Sequence, residues 1–235
     1  MATYVLVHGA WHGGWCWKKL TPLLRSAGHE VFTPTLTGLG ERAHLAGPEI
    51  NLSIHVLDVL GVLEYEDLRS VVLVGHSYGG MVITGVADRA MERLSHLVYL
   101  DAHVPRDGQS AGDLMPPGRI GRLQEVARDR GEGWRLPPFL AGRYGVTADA
   151  DVRWLSPKLT DHPLKTMLEP LRLENKAAAA LPRTYIYCNR PAYGLFEPYA
   201  ERARAEGWPY HELATGHDAM VTQPRELAEI LLKLA

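Results

Sequence analysis

Short apolar runs alternate with longer segments of helical period along most of the chain. Thr3-Tyr4-Val5-Leu6-Val7, Glu30-Val31-Phe32-Thr33, Val71-Val72-Leu73-Val74 and Leu97-Val98-Tyr99-Leu100 read as buried strands. Between the first two, Trp15 to Ala27 carries Trp17, Leu20, Leu23 and Leu24 at helical spacing, and Gly28 sits where a helix stop is expected. A second helix starts at a cap on Asn51 or Ser53 and carries Ile54, Val56, Leu57, Val59, Leu60 and Val62 to about Tyr65. A third runs from Ser77 to Ala90. Strands that are apolar on both faces and separated by helices predict a parallel sheet covered by helices on both sides.

The alternation breaks at Val104. From there to about Pro182 no strong strand is visible, Pro, Gly and Arg are frequent, and the helical pieces are short: Ile120–Arg130, then Asp161–Lys176. The rhythm resumes with a strand at Arg183–Cys188, a helix at Glu197–Glu206, a strand at Pro209–Leu213 and a helix at Pro224–Leu234. The pattern predicts an α/β core built from 1–103 and 183–235, with 104–182 inserted as a helical lid.

Composition narrows the classes of function. A chain of 235 residues fits one domain with a substantial core, and 46% hydrophobic with 22% charged residues is ordinary for a soluble protein. A net charge of -2 leaves no electrostatic footprint for nucleic acid or an anionic membrane. No apolar run reaches the roughly 18 residues a membrane span needs. Met1 leads directly into a strand without a secretion-type leader, which points to the cytoplasm. Cys16 and Cys188 suit buried thiols in a reducing compartment better than a disulfide scaffold.

The candidate chemistry starts where Val71–Val74 runs into Gly75-His76-Ser77-Tyr78-Gly79. Strand, tight turn and helix in that order lift a serine above the sheet. Side chains at 75 and 79 would collide with a neighbouring strand or helix. Ser77 needs a base, and of eleven histidines His217 is the best placed: it follows the last strand and precedes the last helix. The orienting acid is Asp101, at the carboxyl end of a buried strand, with Glu197 as the alternative. Tyr78 N–H is one donor to a developing oxyanion, and Ala10 or Trp11 the other. His8 is expected to shape the loop that contains Gly9, and His76 to point away from the attacking face. Trp11, His103, Trp134, Phe139 and Trp154 are candidates to line a substrate pocket beneath the lid. No His, Cys or Asp spacing suggests a metal, and the chemistry requires no cofactor.

Three segments together carry a family resemblance: Val5 to Trp17 (VLVHGAWHGGWCW), Leu36 to Leu45 (LTGLGERAHL) and Gly75 to Met81 (GHSYGGM). On these the chain resembles the α/β-hydrolases over nearly its whole length. Within them it is similar to the hydroxynitrile lyase and plant methylesterase branch and to bacterial carbendazim-hydrolysing esterases. Plant members of that branch place their acid where this chain has Ala192. Hydroxynitrile lyases of this type have threonine in place of Gly9 and lysine in place of Asp218. The resemblance therefore implies cofactor-free hydrolysis of an ester, a carbamate or an amide, and a pocket lined by the aromatics named above would favour a small hydrophobic or aromatic ester. Lyase chemistry on the same triad, and a non-catalytic small-molecule receptor of this fold, stand as the alternatives. A homodimer is left open.

Overall fold

The computed structural model describes residues 1–234. In chain order its strands are β1 (Thr3–Val7), β2 (Glu30–Phe32), β3 (Val71–His76), β4 (Leu94–Leu100), β5 (Arg135–Leu136), β6 (His162–Pro163), β7 (Arg183–Cys188) and β8 (Tyr210–Leu213). Six of them form one wholly parallel sheet, in the order β2-β1-β3-β4-β7-β8. Every residue of β3 is buried, as its unbroken apolar run requires of a central strand covered on both faces. The α-helices are α1 (Thr21–Ser26), α2 (Leu52–Tyr65), α3 (Gly79–Ala90), α4 (Arg119–Arg130), α5 (Asp149–Leu155), α6 (Lys165–Leu168), α7 (Glu197–Ala205), α8 (Ala219–Thr222) and α9 (Pro224–Leu232). Asn51 caps α2, its side-chain oxygen accepting the Ile54 N–H at 3.0 Å. The helix then buries His55, Val56, Val59 and Leu63 on one face and leaves Leu57 exposed.

Two expected helices take a different form. Trp15–Ala27 is a 3-10 helix at Gly14–Lys19 followed by α1. Pro22 accounts for the break: its ring cannot follow a continuous turn, but it is tolerated at the start of a new helix. Asp161–Lys176 is not a helix. His162–Pro163 pairs antiparallel with β5, α6 makes a single turn, and a 3-10 helix covers Lys176–Ala180. Pro163 and Pro170 lack the N–H groups that a helix through this stretch would use. A strand as short as β5 has too few residues to show an alternation, and it went unseen in the sequence.

The parallel register sets the site. Val7 pairs with Gly75, His76 with Leu100, Leu100 with Ile186, and Cys188 with Leu213. The carboxyl ends of the central strands therefore finish at one level. The chain leaves β1 for β2 on one side and returns to β3 on the other, and such a switch opens a crevice beyond the strand ends. Residues 104–182 leave the sheet after β4 and return at β7. They meet the core close to that crevice. The Trp11 indole N–H donates to Leu136 O at 2.8 Å, and Gly145 packs so tightly on Gly216 that a Cβ on Gly216 would lie 2.5 Å from the Gly145 Cα.

Candidate active site

Ser77 sits on the turn from β3 into α3 with φ +56, a left-handed conformation that a non-glycine residue adopts only when its surroundings enforce it. They do so here. Ser77 N–H donates to Leu100 O at 3.2 Å, and Ser77 O accepts the N–H groups of Gly80 and His103, each at 3.1 Å. A Cβ on Gly75 would lie 2.7 Å from Gly79 O, and one on Gly79 2.8 Å from Val7 O, the collisions expected from the motif. Within this turn the tightest of the three is one the motif does not mark: a Cβ on Gly80 would come to 2.1 Å from His103 O.

Asp101 and His217 lie 116 residues apart and meet across the strand ends. His217 Nδ1–H donates to Asp101 Oδ2 at 2.6 Å, and the other carboxylate oxygen accepts the Cys188 N–H at 3.3 Å. Asp101 is fully buried and also has a positive φ, +42, fixed by its N–H donating to Ile186 O at 2.7 Å. Burial pushes the Asp101 carboxyl above its usual range, and burial lowers His217 to about 3. The bond to Asp101 Oδ2 calls for hydrogen on Nδ1, which makes Nε2 the acceptor nitrogen of a neutral ring. The His217 ring stacks on Tyr193 and Phe196, with centroids 4.4 and 5.0 Å away. Glu197 is exposed at the first turn of α7, where the helix N-terminus suits a carboxylate.

The loop after β1 is held by its own histidines. His8 Nδ1–H donates to Gly9 O at 2.8 Å, and His8 Nε2 accepts the Leu36 N–H at 3.1 Å. Trp11, with φ +65, is committed on both sides of its backbone: its N–H reaches His162 Nδ1 at 3.4 Å and its carbonyl accepts the Thr160 N–H at 3.0 Å. Among the described residues, no acceptor lies on the N–H of Ala10 or of Tyr78. A Cβ on Gly9 would lie 2.8 Å from Ser77 Cβ, which shows how closely this loop approaches the serine.

A second buried pair lies beside the first, and only one of its members was marked in the sequence. His12 Nδ1 faces Ala10 O at 2.8 Å, and His12 Nε2 faces Asp218 Oδ2 at 3.0 Å. Both partners only accept, so both ring nitrogens carry hydrogen and His12 is an imidazolium opposite a carboxylate. Burial works to lower the pKa of His12, but the Asp218 charge outweighs it and the net direction is up; Asp218 moves down against its own burial. Both side chains are 1% exposed or less. His76 completes the knot, with Nε2–H donating to His217 O at 3.0 Å. The loop after β1, the serine turn and the His217 loop are thus tied together by buried polar contacts. The adjacency of Asp218 to His217 was the one available clue; nothing marked His12 as its partner.

The cavity over Ser77 is small, about 20 Å³, room for about one water molecule. Trp11 and His103 line it, with Met115, Arg119, Met167 and Tyr193. The other three expected pocket aromatics do not. Phe139 packs edge-on behind Trp11 at 5.0 Å. Trp134 lies under the Arg135 guanidinium at 5.3 Å. Trp154 packs against Trp15 at 5.4 Å, between the 3-10 helix at Gly14–Lys19 and α5. Their apolar character is absorbed by packing within 104–182 and against the core. A larger cavity of about 790 Å³ opens beside Trp15, Lys18, Arg25 and Lys158, and it shares no lining residue with the one over Ser77.

A parallel sheet with a serine turn at its switch point and a histidine–carboxylate pair across the strand ends defines the α/β-hydrolase class of fold. The model of the alpha/beta hydrolase family matches residues 4–230, and the chain belongs to that family. It is 44% identical over 243 residues to a carbendazim hydrolyzing esterase from Nocardioides sp. (strain SG-4G), covering 100% of each chain. It is 30% identical over 247 residues to a pheophorbidase of Raphanus sativus, covering 98% of this chain and 92% of the other. Among solved structures, an extracellular α/β-hydrolase from a Paenibacillus species superimposes with a TM-score of 0.87 at 26% identity, covering 99% of this chain and 98% of that one.

Proposed function

We propose that this protein is a serine esterase that cleaves small carboxylic esters or carbamates through an acyl-enzyme. The observation that carries the proposal is the 2.6 Å bond from His217 Nδ1–H to the buried Asp101, which leaves Nε2 as the acceptor nitrogen of a ring at the same sheet edge as the strained Ser77 turn. In the proposed cycle Nε2 takes the Ser77 hydroxyl proton as Oγ attacks the substrate carbonyl. The oxyanion that forms is received by the N–H groups of Ala10 and Tyr78, the two donors left without a protein acceptor. His217 then passes its proton to the departing alcohol, and a water molecule repeats the sequence to release the acid. Trp11 N–H, engaged by His162, serves this role less well than Ala10. The names of the esterase relatives support the ester as substrate class.

Residues 104–182 act as a lid in this reading, because a cavity of about 20 Å³ admits an ester only if the side chains over Ser77 move. The buried free thiols of Cys16 and Cys188 support a cytoplasmic location. No helix among the described residues is long and apolar enough to cross a membrane. The test is labelling with a fluorophosphonate probe together with turnover of 4-nitrophenyl acetate. Wild type is expected to label and to turn over, and Ser77→Ala to do neither while keeping its melting temperature. Absence of labelling in folded wild-type protein refutes the proposal.

A further inference from the structure

The cavity over Ser77 is lined mainly by apolar groups, Trp11, Met115, Leu123, Met167 and Leu195 among them. Two of its polar side chains stand out because neither has a protein partner that accounts for it. His103 is only 3% exposed, yet its Nδ1 is shielded from solvent without any hydrogen-bond partner. A buried imidazole nitrogen left in that state is unfavourable unless an occupant of the site completes it. The rest of the ring is held by packing, edge-on to Phe196 at 5.1 Å and to Tyr199 at 5.6 Å, so it cannot swing out to water without disrupting those contacts.

Arg119 is the second. It opens α4 and is half-buried, and no carboxylate pairs with it among the described residues. Its guanidinium is held 5.8 Å from the Tyr193 ring centroid, over a ring that itself stacks on His217. No Asp or Glu lines the cavity. A guanidinium only donates, and a neutral imidazole carries one ring N–H beside one acceptor nitrogen, so His103 can donate as well. Among the described residues the only side-chain oxygens in the lining are the hydroxyls of Ser77, Tyr78 and Tyr193, so its one charged group, Arg119, complements a group that accepts.

Resting on the esterase reading above, we infer that the Ser77 cavity selects esters that carry a second acceptor oxygen, a ketone or carboxylate a few bonds from the scissile carbonyl, received by His103 and Arg119. A hydrocarbon group of the same shape fills the space but leaves the imidazole unpartnered. A site built to hydrogen-bond a substrate group discriminates against the analogue that lacks it far more strongly than an apolar pocket discriminates by size. Burial lowers the pKa of His103 to about 3, so the ring is neutral at working pH and the fixed positive charge in the pair is that of Arg119. This distinguishes the two roles: the carboxylate depends chiefly on Arg119, and the ketone on His103.

Two isosteric series test this, each varying one end of the ester. The acyl series is the 4-nitrophenyl esters of 4-methylpentanoate, 4-oxopentanoate and succinate (as the half-ester). The alcohol series is 3-methylbutyl acetate, 3-oxobutyl acetate and 3-acetoxypropanoate. Within a series the members differ only in whether a methyl, an oxo or an ionised oxygen occupies the distal branch. Rates are corrected for uncatalysed hydrolysis. In at least one series wild type is expected to favour the ketone and the carboxylate over the hydrocarbon by about tenfold or more in kcat/KM. His103→Phe is expected to abolish the ketone preference, and Arg119→Met the carboxylate preference. The readout is the ratio within a series. A variant that merely packs poorly lowers both rates and leaves the ratio in place. Equal rates across both wild-type series, or ratios that survive both substitutions, overturn the inference and leave the esterase reading intact. Failure of wild type to cleave any of the six removes the esterase reading instead, and this inference with it.

Discussion

Acidification should destabilise this protein steeply between pH 7.5 and 5.5, for reasons fixed by its buried histidines. His8 Nε2 accepts an N–H, and His55 Nδ1 accepts the Tyr78 hydroxyl at 3.1 Å while its Nε2–H donates to Thr37 O at 2.9 Å. A second proton on either ring would face a donor. His103 has no partner to support a charge. Burial accordingly lowers the pKa to about 3 in His8, about 4 in His55 and about 3 in His103. In the unfolded chain each titrates near its ordinary value, about 6.5. Below that pH the unfolded state binds protons that the folded state refuses, so stability falls as pH falls. Between pH 7.5 and 5.5 each ring costs somewhat more than about 1 kcal/mol, so that the three together cost about 4 kcal/mol.

His12 works in the opposite sense. Its folded pKa is raised, so its contribution is complete below about 6.5 and fades as pH rises through the folded value; acidification returns part of the loss. One group exchanges at most one proton, so His12 offsets less than the three lowered rings lose, and the loss remains a large part of the roughly 5–15 kcal/mol that holds a typical domain folded. His76 and His162 are lowered by burial too and act in the same direction as the three. Urea unfolding followed by tryptophan fluorescence at pH 7.5, 6.5 and 5.5, extrapolated linearly to water, measures the loss. His103→Phe removes one of the three rings and should shrink the difference by about 1 kcal/mol. Stability that is level or rising toward pH 5.5 would refute the reasoning, as would a His103→Phe variant with an unchanged pH dependence.

Two further outcomes separate catalytic from structural carboxylates. Asp101→Asn should lower kcat by about 10⁴, the scale set by loss of the orienting acid in other triads, while Glu197→Gln, exposed on α7, stays within about twofold of wild type in kcat and melting temperature; the reverse ranking would move the acid to Glu197. Asp218→Ala should destabilise the fold by about 3–5 kcal/mol, because it strands the His12 cation in the interior. Added to His12→Ala it should cost much less than in wild type, and a double-mutant cycle showing additive losses would remove the pair.

How much of this was legible in the sequence differs from residue to residue. The alternation of apolar runs and helical segments predicted a parallel sheet with covering helices, and the segment from Val71 to Met81 carried its own turn, because strand, glycine-flanked serine and helix are all local features. Asp101 and His217 were accessible as candidates because the first directly follows a strand and the second lies in the short loop after one, and in a parallel sheet the residues after the strands share one edge. Short elements were not legible: β5 and β6 are too brief for a period to show, and Pro22 interrupted a helix that the hydrophobic spacing alone would have continued.

The sequence by itself determined the class of fold, the serine turn and which residues stand at the strand ends. Tertiary structure alone decided which of those residues touch. It paired His12 with Asp218 across 206 positions, turned Trp11 N–H toward His162 and so left Ala10 N–H unengaged, and kept Trp134, Phe139 and Trp154 out of the cavity over Ser77. The physical reason is one of range. Period and turn chemistry act over a few residues and are written in order along the chain. Burial, charge pairing and the direction of a backbone N–H depend on which distant groups the packed interior brings within about 3 Å.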